Sequence, residues 1–303
     1  MLETVGAGTS DSEIELVVEG KAEIGEGPSW DARKGVLYWV DIPKGKIHTY
    51  DAVRDIDRSI SIQGCVSSVV PRVNDDDDVM VTLQHGFYKL NTSTADFSLI
   101  SEVEQDLPDN RFNDGKCDTR GRLWAGTMNV KEKEATGALY RLEGSRVERM
   151  LSNVTISNGI GWSPDDATMY YIDTPTRMVS AFDYDIDRGS IGRQRIAFNF
   201  TSQGGAPDGM AVDEEGMPWI AHWGGSKVSR WNPRTGQVVD QILVPAPNVS
   251  SCCFGGTHMD ELYVTTAREG LDPTLLSRYP SSGGLFRVRP GVRGLPTNCF
   301  VYQ

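Results

Sequence analysis

Apolar and polar residues alternate along this chain in short runs of four or five residues, broken by turn residues. Six runs share one shape: Leu37-Tyr-Trp-Val-Asp41, Val79-Met-Val-Thr82, Leu123-Trp-Ala-Gly126, Met169-Tyr-Tyr-Ile-Asp173, Pro218-Trp-Ile-Ala221 and Leu262-Tyr-Val-Thr265. Their second residues stand at 38, 80, 124, 170, 219 and 263, so the unit repeats every 42 to 49 residues. A second series follows each run: Ile47–Asp51, Phe87–Asn91, Leu139–Glu143, Val179–Asp183, Val228–Asn232 and Leu285–Val288. These alternate with period two, the mark of a half-buried strand. Turns separate them, as at Asp31–Gly35, Asp118–Gly121 and Asp213–Gly216. Helical periodicity is absent except for one short turn expected over Asp272–Arg278.

Repeats of 40–50 residues, each several short strands with Gly and aromatic markers, predict a β-propeller. The expected fold is all-β: six blades of four strands around a central channel. No linker splits the chain, so residues 13–303 are read as one propeller domain and residues 1–12 as a flexible tail. The run Asn74–Asp78 is read as a solvated hairpin tip, since it lacks the Gly and distal Glu of a calcium-binding EF-hand loop.

The inner strand of each blade lines the channel, so equivalent positions on different blades converge. Eleven or twelve residues before each aligned strand residue stand Glu26, Ser68, Asn113, Asn158, Asp208 and Cys252. Four of these open similar segments, Glu26-Gly-Pro, Asn113-Asp-Gly, Asn158-Gly-Ile and Asp208-Gly-Met. Two carboxylates and two amides at one level are hard oxygen donors, a set that suits Ca²⁺, Mg²⁺ or Mn²⁺ and admits Zn²⁺. Asn and Asp also close strand ends and bond their own turns, and spacing alone leaves both readings open.

Composition narrows the partners. Lys+Arg number 30 against 42 Asp+Glu, a net charge of -12, which repels phosphate backbones and anionic lipid. Neither nucleic acid nor membrane is an expected partner. Residues 1–19 show no basic segment followed by an apolar one, so no signal peptide is read there. The five cysteines, with no CxxC among them, read as reduced thiols of a cytoplasmic protein. No HExxH, GxSxG or P-loop occurs. His222, on its blade's second strand, is assigned to packing rather than catalysis.

The segments Glu26-Gly-Pro28, Arg111-Phe-Asn-Asp-Gly-Lys116, Ala125-Gly-Thr-Met128, Ser157-Asn-Gly-Ile160, Asp183-Tyr-Asp185, Pro207-Asp-Gly-Met210 and Ser251–Gly256 resemble the SMP-30/gluconolactonase/luciferin-regenerating-enzyme family. The resemblance runs from about residue 14 to residue 297. It implies a six-bladed propeller, one divalent metal ion held by Glu26, Asn158 and Asp208, and substrate contacts from Arg111 and Asn113. Asp114 follows them as a supporting residue. After Met128 the branch most resembled carries two glutamates, one of them touching substrate. Here Asn129-Val-Lys-Glu132 stands instead, so either Lys131 or, after a one-residue shift, Glu132 takes that position.

The implied activity is hydrolysis of a sugar lactone such as D-glucono-1,5-lactone, with the cation polarising the carbonyl and activating water. Asp208, the catalytic candidate, would accept the water proton. The chain is expected to act as a monomer or weak dimer. The competing classes are a non-catalytic calcium-binding regulator, another metal-dependent ester or phosphoester hydrolase on this scaffold, and a protein-interaction propeller. The last needs no carboxylates in its channel.

Overall fold

The computed structural model describes residues 13–73 and 77–302, together with the backbone of Gly8–Thr9. Its strands form six antiparallel sheets in a ring, the six blades expected from the repeat. The inner strands are Gly25–Asp31, Ser68–Pro71, Asn110–Cys117, Ser157–Trp162, Ala206–Val212 and Asn248–Gly255, for blades one to six in turn. The aligned apolar runs form the second strands, and the alternating series the third. The short helix is Pro273–Arg278, capped by the Asp272 carboxylate on the Leu275 N–H.

The ring closes by mixing the two ends of the chain. Glu15–Val18 is the outer strand of blade six and pairs with Leu285–Val288. The Arg287–Glu15 ion pair crosses the same seam at 2.7 Å. The tail expected over residues 1–12 lies outside the described residues apart from Gly8–Thr9, whose backbone runs parallel to Asp240 and Gln241 on the outer edge of blade five. Most of the acidic run, Asn74–Asp76, also lies outside them. Among the described residues no helix is long and apolar enough to cross a membrane.

The apolar core sits between blades, not on the axis. Six buried clusters occupy the six blade-to-blade seams; Trp219 of blade five packs with Phe254 and Leu262 of blade six, for example, and Trp124 of blade three with Trp162 and Tyr171 of blade four. Inner and second strands are therefore buried on both faces, while the fourth strands alternate towards water. This arrangement leaves the channel free for polar groups.

One irregularity aims those groups. In five of the six blades the inner strand carries one extra residue against its neighbour: between Glu26 and Ser29, Phe112 and Gly115, Asn158 and Ile160, Pro207 and Met210, and Val249 and Ser251. A bulge of this kind breaks the ladder and re-aims a side chain. In blade five the residue after the polar group must also be small. A Cβ on Gly209 would fall 2.0 Å from the Ser251 Oγ of the next blade.

Candidate metal and substrate site

A cavity of about 230 Å³ opens at the end of the channel where the inner strands begin. Glu26, Arg111, Asn113, Glu132, Asn158 and Asp208 all line it. Two expected ring members do not. The Ser68 hydroxyl is bonded to Thr82 Oγ1 at 2.7 Å in the blade wall. Cys252 pairs with Val264 and packs into the seam between blades five and six, its thiol donating to the Trp219 carbonyl. In blade six the extra residue is Ser250, whose hydroxyl donates to the Gly25 carbonyl. Tyr263 pairs with Cys253, ten residues back, whereas the aligned residues of the other bulged blades pair eight or nine back, so the same count stops short of Ser250.

The amide orientations follow from a closed hydrogen-bond chain. Thr174 spends its hydroxyl proton on the Pro207 carbonyl (2.9 Å), so its oxygen accepts from Asn158 Nδ2 at 2.8 Å. Asn158 Oδ1 is thereby turned to the site, where Asn113 Nδ2 lies 3.0 Å away. Asn113 also donates to the Ser157 carbonyl at 2.8 Å. Its own Oδ1 accepts from Arg111 Nη1 at 2.7 Å, and the same nitrogen donates to the Phe112 carbonyl. Asn113 therefore orients Arg111 and Asn158, and the other guanidinium nitrogens have no hydrogen bond among the described residues.

The carboxylates are poorly compensated. Glu26 accepts the N–H of Gly27 at 2.7 Å, and Asp208 that of Gly209. Neither forms an ion pair among the described residues. Burial, then the charge of Asp114, pushes the Glu26 carboxyl well up; burial, then Glu26 and Asp114, does the same to Asp208. Asp114, buried beneath them, is raised by burial and lowered again by Lys116 and the Gly115 N–H. Two buried carboxylates with free lone pairs and an amide oxygen turned to them fit a hard divalent cation.

The loop after Met128 separates the two alternatives left open by the sequence. Asn129 builds a tight turn, its Oδ1 accepting from the Lys131 N–H and its carbonyl from the Glu132 N–H. Lys131 points outward to Asp109, 2.5 Å away. Glu132, at φ +56°, turns back to line the cavity.

Sequence reasoning missed Trp223, Thr174 and Glu269, which also line it. All three sit at or just beyond second-strand ends, and stepping forward from the aligned strand residues would have found them. Burial, then the charge of Glu132, raises the Glu269 carboxyl, while Arg111 opposes the shift. His222 does not line the cavity. Its Nδ1 proton goes to the Gly204 carbonyl and its Nε2 accepts from Ser229 Oγ, which in turn accepts from the Trp231 indole. It is a satisfied buried imidazole.

Residues 24–268 match the family model described as an SMP-30/gluconolactonase/LRE-like region. Regucalcin of Gallus gallus is 38% identical over 96% of this chain and 99% of its own length. A Bacillus subtilis protein with the provisional name sugar lactone lactonase YvrE is 37% identical over 90% of this chain and 94% of its own. The solved luciferin-regenerating enzyme superposes with a TM-score of 0.91 at 34% identity, covering 96% of this chain and 99% of that one. The chain belongs to the SMP-30/gluconolactonase/LRE-like family.

Proposed function

We propose that this chain is a divalent-metal-dependent lactonase that hydrolyses an aldonolactone, of the class of D-glucono-1,5-lactone, to the aldonic acid. The observation that carries the reading is the convergence of two uncompensated carboxylates, one oriented amide oxygen and one guanidinium on a single cavity. Family membership and the similarity to a lactonase-named relative support the reaction class. Glu26, Asn158 and Asp208 would hold the ion, which supplies carbonyl polarisation and an acidified water.

The remaining roles belong to the chain itself. Asp208, a buried carboxylate, takes a proton from the attacking water. Arg111 offers its uncommitted N–H groups to the ring hydroxyls and the emerging carboxylate. Glu132 at the rim accepts from hydroxyls, and Trp223 presents an indole to the sugar. Titrating acid release from D-glucono-1,5-lactone, with and without EDTA, tests the reading. Turnover that EDTA abolishes and added Ca²⁺, Mn²⁺, Mg²⁺ or Zn²⁺ restores is expected. Tight metal binding without turnover of any aldonolactone would replace it with the calcium-binding regulator.

A further inference from the structure

The channel holds a second cavity, at the end away from the candidate site. Its volume is about 290 Å³, near the lower limit of small-molecule pockets, about 300–1,000 Å³. All six inner strands contribute their later residues to it, and it shares no lining residue with the entrance cavity. The C-terminal segment is strapped over this mouth. Leu295 donates its N–H to the Val212 carbonyl of blade five at 3.2 Å, and Phe300 its N–H to the Pro71 carbonyl of blade two at 2.8 Å. Between them the Asn298 amide donates to the Cys117 carbonyl of blade three at 3.2 Å. The strap turns the far end of the channel into a pocket, and Leu295, Pro296, Thr297 and Asn298 form one side of it.

The walls are apolar: Val70, Trp162, Val212, Phe254, Leu295 and Pro296. One cation lines them, Lys116, and one carboxylate, Asp166. Asp166 is occupied, accepting from the exposed Thr119 hydroxyl at 2.8 Å. Lys116 lies on the inner strand of blade three between the buried Gly115 and Cys117, yet is itself only half-buried. It lines this cavity and not the entrance one, so its open surface belongs to the far end. The ammonium donates once, across the channel to the Met210 carbonyl of blade five at 2.5 Å. Among the described residues it has no other hydrogen bond and no carboxylate within ion-pair distance. Asp114, two residues earlier, accepts from the Gly115 N–H instead. Two of the three ammonium protons are therefore uncommitted.

We infer that this far-end cavity is a binding site for a small monocarboxylic acid with a compact apolar body, its carboxylate accepting from Lys116 and its body lying on the apolar walls. The inference stands apart from the proposed metal site and does not depend on it. A carboxylate brings two oxygens and one negative charge to an ammonium with spare protons, and such a charge-assisted bond is strong where water is scarce. A neutral apolar molecule would cover the ammonium and leave those protons unmet, which costs free energy. A sugar acid would press its hydroxyls on Val70, Val212 and Phe254, which return no hydrogen bond.

Benzoate and benzamide, nearly alike in shape and different in charge, are the probes. Calorimetry should find benzoate bound about tenfold to hundredfold more tightly than benzamide. A crystal grown with 4-bromobenzoate should place the bromine in the far-end cavity. Lys116→Met should remove the preference for the acid, and Lys116→Arg should keep it within about threefold. Thr297→Trp fills the cavity from the strap and should abolish the binding of both probes. Arg111→Ala should change none of this, which separates the far end from a carboxylate held at the entrance. Where Lys116→Met fails to fold, retention of the preference in Lys116→Arg and loss of binding in Thr297→Trp decide the matter. Equal affinity for acid and amide, a preference that survives Lys116→Met, bromine beside Arg111, or no benzoate bound at up to about 10 mM would overturn the inference.

Discussion

Two sets of acidic residues in this propeller are equally hidden from water and differ in everything else. Asp118 and Asp213, in the turns between first and second strands, are fully buried. Each is saturated. Asp118 accepts from the Arg120 and Arg122 N–H groups, the Arg122 guanidinium, the Trp124 indole and the Tyr184 hydroxyl. Asp213 accepts from two backbone N–H groups, Trp219 and Arg230. Glu26, Asp114 and Asp208 are 4–5% exposed and each receives one adjacent N–H. A buried acid whose lone pairs are all met holds the fold together. One left unmet and surrounded by its own kind costs stability, and two of these three acids, Glu26 and Asp208, are the carboxylates of the proposed metal site.

The widest gap should appear between substitutions that remove the same charge from the two places. Asp208→Asn is expected to lower lactone turnover by about three to four orders of magnitude, equivalent to about 4–5 kcal/mol. The same change should leave the metal-free protein at least as stable to heat as before, because it removes an uncompensated charge. A fall in melting temperature with turnover preserved would reverse the assignment.

Asp118→Asn should do the opposite. It strands the buried Arg122 guanidinium and should cost about 3–5 kcal/mol of stability. Turnover per folded molecule should be unchanged, as denaturant unfolding and kinetics on the same sample would show.

His222 tests a third kind of buried polar group. Burial lowers its pKa to about 4 from an ordinary 6.5. Both states are neutral above pH 6.5, so no stability is lost there. Between about 6.5 and about 4 the unfolded chain takes up a proton that the folded chain refuses, and stability falls by about 3 kcal/mol over that window. His222→Gln should flatten this slope in unfolding curves at successive pH values and keep most of the turnover. Loss of turnover with an intact fold would return His222 to the chemistry.

The smallest effect belongs to Arg111→Ala, a loss of about tenfold to hundredfold in kcat/KM, or about 1.5–3 kcal/mol. Metal affinity should hold, because Asn158 is oriented by Thr174 and not by Arg111. Calorimetric metal titration of this variant would expose a hidden ligand-ordering role.

The repeat arithmetic was enough to read six blades, because each seam needs its own apolar set and so writes it into the chain every 42 to 49 residues. Glu26, Asn113, Asn158 and Asp208 were legible for the same reason: each is a polar residue at a fixed place in an otherwise buried strand. Cys252 was misplaced because the hairpin joining the first two strands of blade six, measured from Tyr263 to its partner Cys253, is longer than in the other bulged blades, so a fixed count stops short of Ser250. Trp223 and Glu269 escaped because stepping backward into inner strands never visits the far ends of second strands. The choice between Lys131 and Glu132 turned on the Asn129 turn, whose side-chain bond depends on the folded path of the loop.

The seam at Glu15–Val18 also sets an order in time. The strand that pairs with it, Leu285–Val288, is synthesised 267 residues after Val18, an interval of roughly 13–53 s at about 5–20 residues per second. Throughout that interval five blades can form while the early strand has no partner and the ring stays open. Two chains growing side by side on one message each carry a finished early strand before either has completed its last blade. Whichever Leu285–Val288 edge appears first can capture the neighbour's strand as readily as its own, so crowded synthesis should yield exchanged pairs of rings that dilute, slow expression would avoid.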